Sequence, residues 1–126
     1  MRRSIEPSRP FVRGLLMALA TGAVLVGCAH DPDIRAGHDN TFGATAKAPP
    51  EYLGCVKGEL PASAKVFMVE NQGSHELYVQ STDPNKADGL VKVTGSGGQH
   101  QYSAYQRDAW YDHGRLLDAA LMCART

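Results

Sequence analysis

The uncharged run Gly14–Val26, 13 residues long, divides this chain and limits what the rest can build. A helix needs about 20 apolar residues to cross the hydrocarbon core, so the run is too short for a permanent span. It also does not read as a buried core helix. Its entry carries Arg2, Arg3, Arg9 and Arg13, and its exit is a cysteine, Cys28. A basic n-region, Met1 to Arg13, ahead of a short apolar stretch is the pattern of an exported leader. The Arg2–Arg3 pair lacks the apolar residues that follow it in twin-arginine leaders. The material available for folding therefore lies after residue 27.

That division changes the charge reading. The whole chain is formally neutral, with 13 basic and 13 acidic residues. Four of the basic residues and one acid fall within residues 1–27, which leaves 9 basic against 12 acidic, a net charge of −3. A mildly acidic body has no electrostatic footprint for nucleic acid.

The run ends in Leu25-Val26-Gly27-Cys28. This tetrapeptide, placed just after an h-region, resembles the lipobox of bacterial lipoproteins. The resemblance implies that residues 1–27 are a lipoprotein signal peptide and that Cys28 is diacylated and becomes the first residue of the mature protein. No cofactor is implied beyond this covalent lipid. Two or more acyl chains anchor stably, because each buried methylene contributes roughly 0.8 kcal/mol. Residue 29 is alanine and not the aspartate that retains enterobacterial members in the inner membrane. The resemblance therefore implies a lipid anchor in the outer membrane with the domain facing the periplasm.

Residues 28–50 are rich in Pro, Gly, Asp and Ala without apolar periodicity, which predicts a disordered tether. Its "HDPDIRAGHD" tract holds His30, Asp31, Asp33, His38 and Asp39. Imidazole and carboxylate suit zinc or copper, but a tether supplies no outer support for such ligands, and no metal site is expected.

Residues 51–126 form the expected globular domain. With Cys28 taken by lipid, Cys55 and Cys123 remain, one near each end. An exported compartment is oxidising, so a Cys55–Cys123 disulfide is expected. Helical signals surround both. Tyr52, Cys55, Val56 and Leu60 share a face in a short helix entered at Pro50. Leu116, Leu117, Ala120, Leu121 and Ala124 share one in a longer helix, with Asp112 as the candidate N-cap. Between them, "AKVFMVE", "HELYVQS", "LVKVT" and "HQYSAYQR" read as strands, and "NQGS" and "GSGG" as turns. The fold class expected is α+β: a four-stranded antiparallel sheet with both helices on one face. The other face is expected to be solvated around Glu76, Lys92 and Arg107. The strand ending in Tyr105-Gln106-Arg107 and the terminal "LLDAALMC" resemble small proteobacterial lipoproteins of unknown function. The likeness covers most of residues 51–126 but departs at "DAWYDHG", and it implies no reaction.

Candidate chemistry is sparse. Counted as an EF-hand from Asp83, the loop has Ala87 at position 5, Asp88 at 6 and Thr94 at 12, so the pattern fails. "GSGG" joins two strands and lacks the third glycine of a phosphate cradle. Ser103 with His75, His100 or His113 would be needed for a hydrolase, and no spacing nominates a pair. The richest cluster is Tyr102, Tyr105, Arg107, Trp110 and Tyr111. It reads either as a surface for peptidoglycan or an envelope protein, or as core filling with Trp110 the foremost core member. The expectation is a non-enzymatic, lipid-anchored envelope protein with a binding or structural role. The alternative is a periplasmic inhibitor or ligand binder, for example of a lytic enzyme.

Overall fold

A computed structural model describes residues 32–126, so the expected leader and Cys28 lie outside the described residues. Five strands form one antiparallel sheet in the order β1-β5-β4-β3-β2. They are β1 (Asn40–Thr45), β2 (Val66–Asn71), β3 (Ser74–Val79), β4 (Gly89–Ser96) and β5 (Gln99–Gln106). Helix α1 (Pro49–Gly58) follows β1, and α2 (Arg115–Arg125) closes the chain. Among the described residues, no helix is long and apolar enough to cross a membrane.

All four expected strands are present, and the fifth is β1, inside the stretch assigned to the tether. From Pro32 to Pro50 the expected tether is folded. A 3-10 turn at Ile34–Ala36 is capped by Asp33, whose carboxylate accepts from the Arg35 backbone N–H at 2.8 Å. The Arg35 guanidinium also pairs with this carboxylate and holds it down at about 2. β1 then runs antiparallel to β5, with Asn40 opposite Tyr105 and Thr45 opposite His100. Its sequence, NTFGAT, shows no hydropathic alternation because the inward positions are small. Gly43 lies opposite Tyr102, and a Cβ there would come within 2.7 Å of the Tyr102 ring. The strand leaves room for its neighbour's aromatic side chain.

One sheet face packs against both helices. Leu77, Val91, Val93, Tyr102 and Ala104 meet Tyr52, Leu53 and Val56 of α1 and Leu116, Ala119, Ala120 and Cys123 of α2. Prolines at the first turn of α1 suit φ near −65° and a position with no helical N–H bond to lose. Glu51 near its start and Lys57 near its end complement the helix dipole. The Tyr52 hydroxyl donates to the Ala120 carbonyl at 2.7 Å and ties α1 to α2, and burial pushes this phenol well up. The Cys55–Cys123 disulfide, with Cα atoms 5.9 Å apart, makes the same connection covalently. Closing a loop of this length stabilises by roughly 4 kcal/mol in the chain-entropy model.

The second face departs from the expectation of a solvated surface. Ile34, Tyr78, Ala87 and Leu90 form a smaller core there, flanked by Val69 and Tyr105. Glu76 is only 5% exposed, and its carboxylate accepts from Asn71 Nδ2 at 2.8 Å. The cover comes from the 3-10 turn, pinned where Ile34 N–H donates to the Pro84 carbonyl at 2.9 Å.

Candidate functional site

The segment between β5 and α2, residues 107–114, places its largest side chains in solvent. Trp110 is 76% exposed and Tyr111 is 81% exposed, on a 3-10 turn spanning Ala109–Tyr111. Of the two readings of Trp110, this exposure removes core filling and leaves the surface. The strand alternation that buries Tyr102 ends at Gln106, and a turn of three residues has only one inward position, which Ala109 takes.

The turn is held from both sides. Asp108 and His113 adopt left-handed backbone angles, φ 53° and 61°, ahead of Gly114 at 69°. Non-glycine residues there cost of order 1–3 kcal/mol each, less for Asp, and persist only where the surroundings determine them. Here they do. Tyr111 N–H donates to the Asp108 carbonyl at 3.0 Å, and Gly114 N–H to the Ala109 carbonyl at 2.8 Å. The Gln106 amide donates to Asp112 Oδ1 at 2.7 Å.

Gln106 also caps α2. The cap position is Gly114, which has no side chain, so the expected N-cap Asp112 stands two residues too early. Gln106 Oε1 accepts from the Leu116 N–H at 3.0 Å and the Leu117 N–H at 3.4 Å. Asp112 Oδ1 accepts from the Arg115 N–H at 3.3 Å. These bonds satisfy the first-turn donors that a capping side chain would otherwise take.

Arg107 is spent on structure. Its Nε donates to the Ala87 carbonyl at 3.0 Å, and its Nη2 to the carbonyls of Pro84 at 3.3 Å and Pro32 at 3.4 Å. Beside it, Trp110 and Tyr111 line a cleft of about 340 Å³ together with Leu60, Pro61 and Ala64. Gly89 lies beneath, where a Cβ would collide with Leu116 Cδ2, so the helix approaches the sheet closely at this end. A cleft of this size lies at the small end of ligand pockets.

The expected five-residue surface is therefore divided. Tyr102, 2% exposed, packs on the Tyr52 ring with centroids 5.4 Å apart. Tyr105 points to the opposite face and meets Phe42 edge-on at 6.1 Å. Arg107, Trp110 and Tyr111 stay together at the turn. Leu60, Pro61, Gln106 and Asp112 were not anticipated there. The adjacency of Trp110 and Tyr111 between two aspartates was the available signal, since neighbouring residues of a turn cannot share one buried side.

The residues weighed for catalysis are dispersed. Ser103 and His100 lie three apart on β5 and so project to opposite faces. His75 Nε2 sits 2.6 Å from Glu70 Oε2 across the β2–β3 pair, and His113 is exposed. His100 Nδ1 is buried without a hydrogen-bond partner among the described residues. Among the same residues, no group of three or more His, Cys, Asp or Glu side chains is arranged to hold a metal ion. No protein-family model, curated protein or solved structure matches this chain.

Proposed function

We infer that this chain is a lipid-anchored protein of the bacterial cell envelope, held to the outer membrane through Cys28, with a non-enzymatic binding or structural role in the periplasm. The anchor reading rests on the Leu25–Cys28 lipobox after a short apolar run. The binding reading rests on one observation: Trp110 and Tyr111 stand in solvent on a turn that is fixed by hydrogen bonds at both ends. Exposing two large aromatics gives up burial worth about 1.5–3 kcal/mol for each side chain, which favours a contact made elsewhere.

The anchor is tested by Cys28→Ser in the expressing bacterium. The native chain should sediment with membranes and incorporate labelled palmitate. The variant should lose the label and leave the outer-membrane fraction, and unchanged labelling and fractionation would refute the anchor. The alternative, a periplasmic inhibitor or ligand binder, draws support from the cleft beside the aromatic pair. Capture of lysozyme or peptidoglycan fragments, lost in Trp110→Ala, would favour it. The Ser103 hydrolase gains no support from a serine and histidine on opposite faces of a strand.

A further inference from the structure

The strand register gathers three segments at one end of the sheet. Asn40 pairs with Tyr105 and Gly89 with Gln106, while Val79 pairs with Gly89. The chain entry at 32–39, the loop 80–88 and the turn 107–114 therefore lie at one end. The β2–β3 and β4–β5 hairpins lie at the other. The entry is fastened there, because the Pro32 carbonyl accepts from Arg107 and Ile34 N–H donates to Pro84. Pro32 lies four positions after Cys28 in the sequence. Four residues span at most about 14 Å. A tether of 22 residues would have reached roughly 25 Å on average and left the domain free to turn. The shorter connection draws this end, and no other, toward whatever holds Cys28.

Trp110 and Tyr111 stand on that end. Tryptophan and tyrosine favour the membrane–water interface, where the ring meets acyl chain and the polar edge meets water. The charges around the cleft are nearly balanced, with Arg107 and Arg115 against Asp88, Asp108 and Asp112. Arg107 is already bonded to three carbonyls. Attraction to anionic headgroups is thus not what this surface offers.

Resting on the lipid-anchor reading, we propose that the Trp110–Tyr111 turn seats in the interfacial layer of the bilayer that holds Cys28, and that acyl chains and aromatic pair together fix the domain's orientation. The contact is to zwitterionic headgroups and is insensitive to salt. The cleft then opens along the membrane surface, and the hairpin end projects into the periplasm.

Trp110 is the only tryptophan of the chain, so its emission reports this contact alone. The protein is purified from membranes of the expressing bacterium, its Cys28 peptide is weighed by mass spectrometry, and it is reconstituted into phosphatidylethanolamine–phosphatidylcholine vesicles. Replacing the lipids by forms brominated on the acyl chains should lower Trp110 emission at least about twofold, equally at low and at high salt. Equal emission in both lipids from acylated protein overturns the inference and leaves the anchor intact. So does protection of Trp110 from acrylamide that appears only on adding peptidoglycan fragments. A Cys28 peptide without acyl chains overturns the anchored reading, and this inference with it.

Discussion

Tyr102 and Tyr111 stand nine residues apart and meet opposite fates, 2% and 81% exposed. Tyr102 lies on a central stretch of β5, where alternation turns it toward the helices and Gly43 of β1 makes space for its ring. Tyr111 lies just past the strand, where no alternation applies and a polar frame fixes the backbone without enclosing the side chain. The residue type is the same in both places, and the difference comes from what surrounds the backbone. In the helix-covered core, the aromatic ring contributes stability. At the turn, the backbone is ordered and the rings contribute surface.

Substitutions separate the two regions directly. Tyr102→Ala should cost roughly 3–5 kcal/mol in urea or guanidinium unfolding, since it empties a cavity between β1, α1 and the sheet. Gln106→Ala should cost about 1–2 kcal/mol, because it strips the first-turn bonds of α2 and the brace to Asp112 together. It should also loosen the turn, seen as a faster depolarisation of Trp110 emission, which a purely helix-capping role would not produce. Tyr52→Phe should cost about 1 kcal/mol for the lost bond to Ala120. Burial raises the Tyr52 phenol above its unfolded value, so its contribution is complete below pH about 10 and is lost as pH rises beyond it. Stability of the native chain should therefore fall more steeply than that of Tyr52→Phe between pH about 9 and about 11. Smallest of all, Trp110→Ser and Tyr111→Ser should each change stability by no more than about 0.5 kcal/mol. A cost near that of Tyr102→Ala would break the distinction between the two regions.

The sequence carried the sheet well where inward residues are large. Val66, Leu77, Val79, Val91, Val93 and Tyr102 mark their strands by alternation, and Cys55 and Cys123 marked the staple between helices. β1 was illegible for the complementary reason. Thr41, Gly43 and Thr45 face inward as small residues because their neighbours fill the space, so the strand is specified by pairing with β5 and not by its own hydropathy. The second small core was hidden in the same way, since Ile34 and Ala87 come from segments that read as polar loops. At the turn, the aromatic residues were visible but their burial was not. Exposure there follows from the end of β5 at Gln106 and from left-handed backbone at Asp108 and His113, neither of which composition announces.

Trp110 stands in solvent on a turn whose backbone is held at both ends. Time-resolved fluorescence of this sole tryptophan, with acrylamide as quencher, tests exposure and rigidity in one experiment on the purified Cys28→Ser protein in lipid-free solution. The expected result is red-shifted emission quenched nearly as readily as a free indole, with anisotropy decaying mainly at the tumbling rate of the whole domain. Blue-shifted, protected emission would place Trp110 in the core, and a dominant fast depolarisation would make the turn a floppy loop; either result would overturn the picture of an ordered turn with solvent-exposed rings.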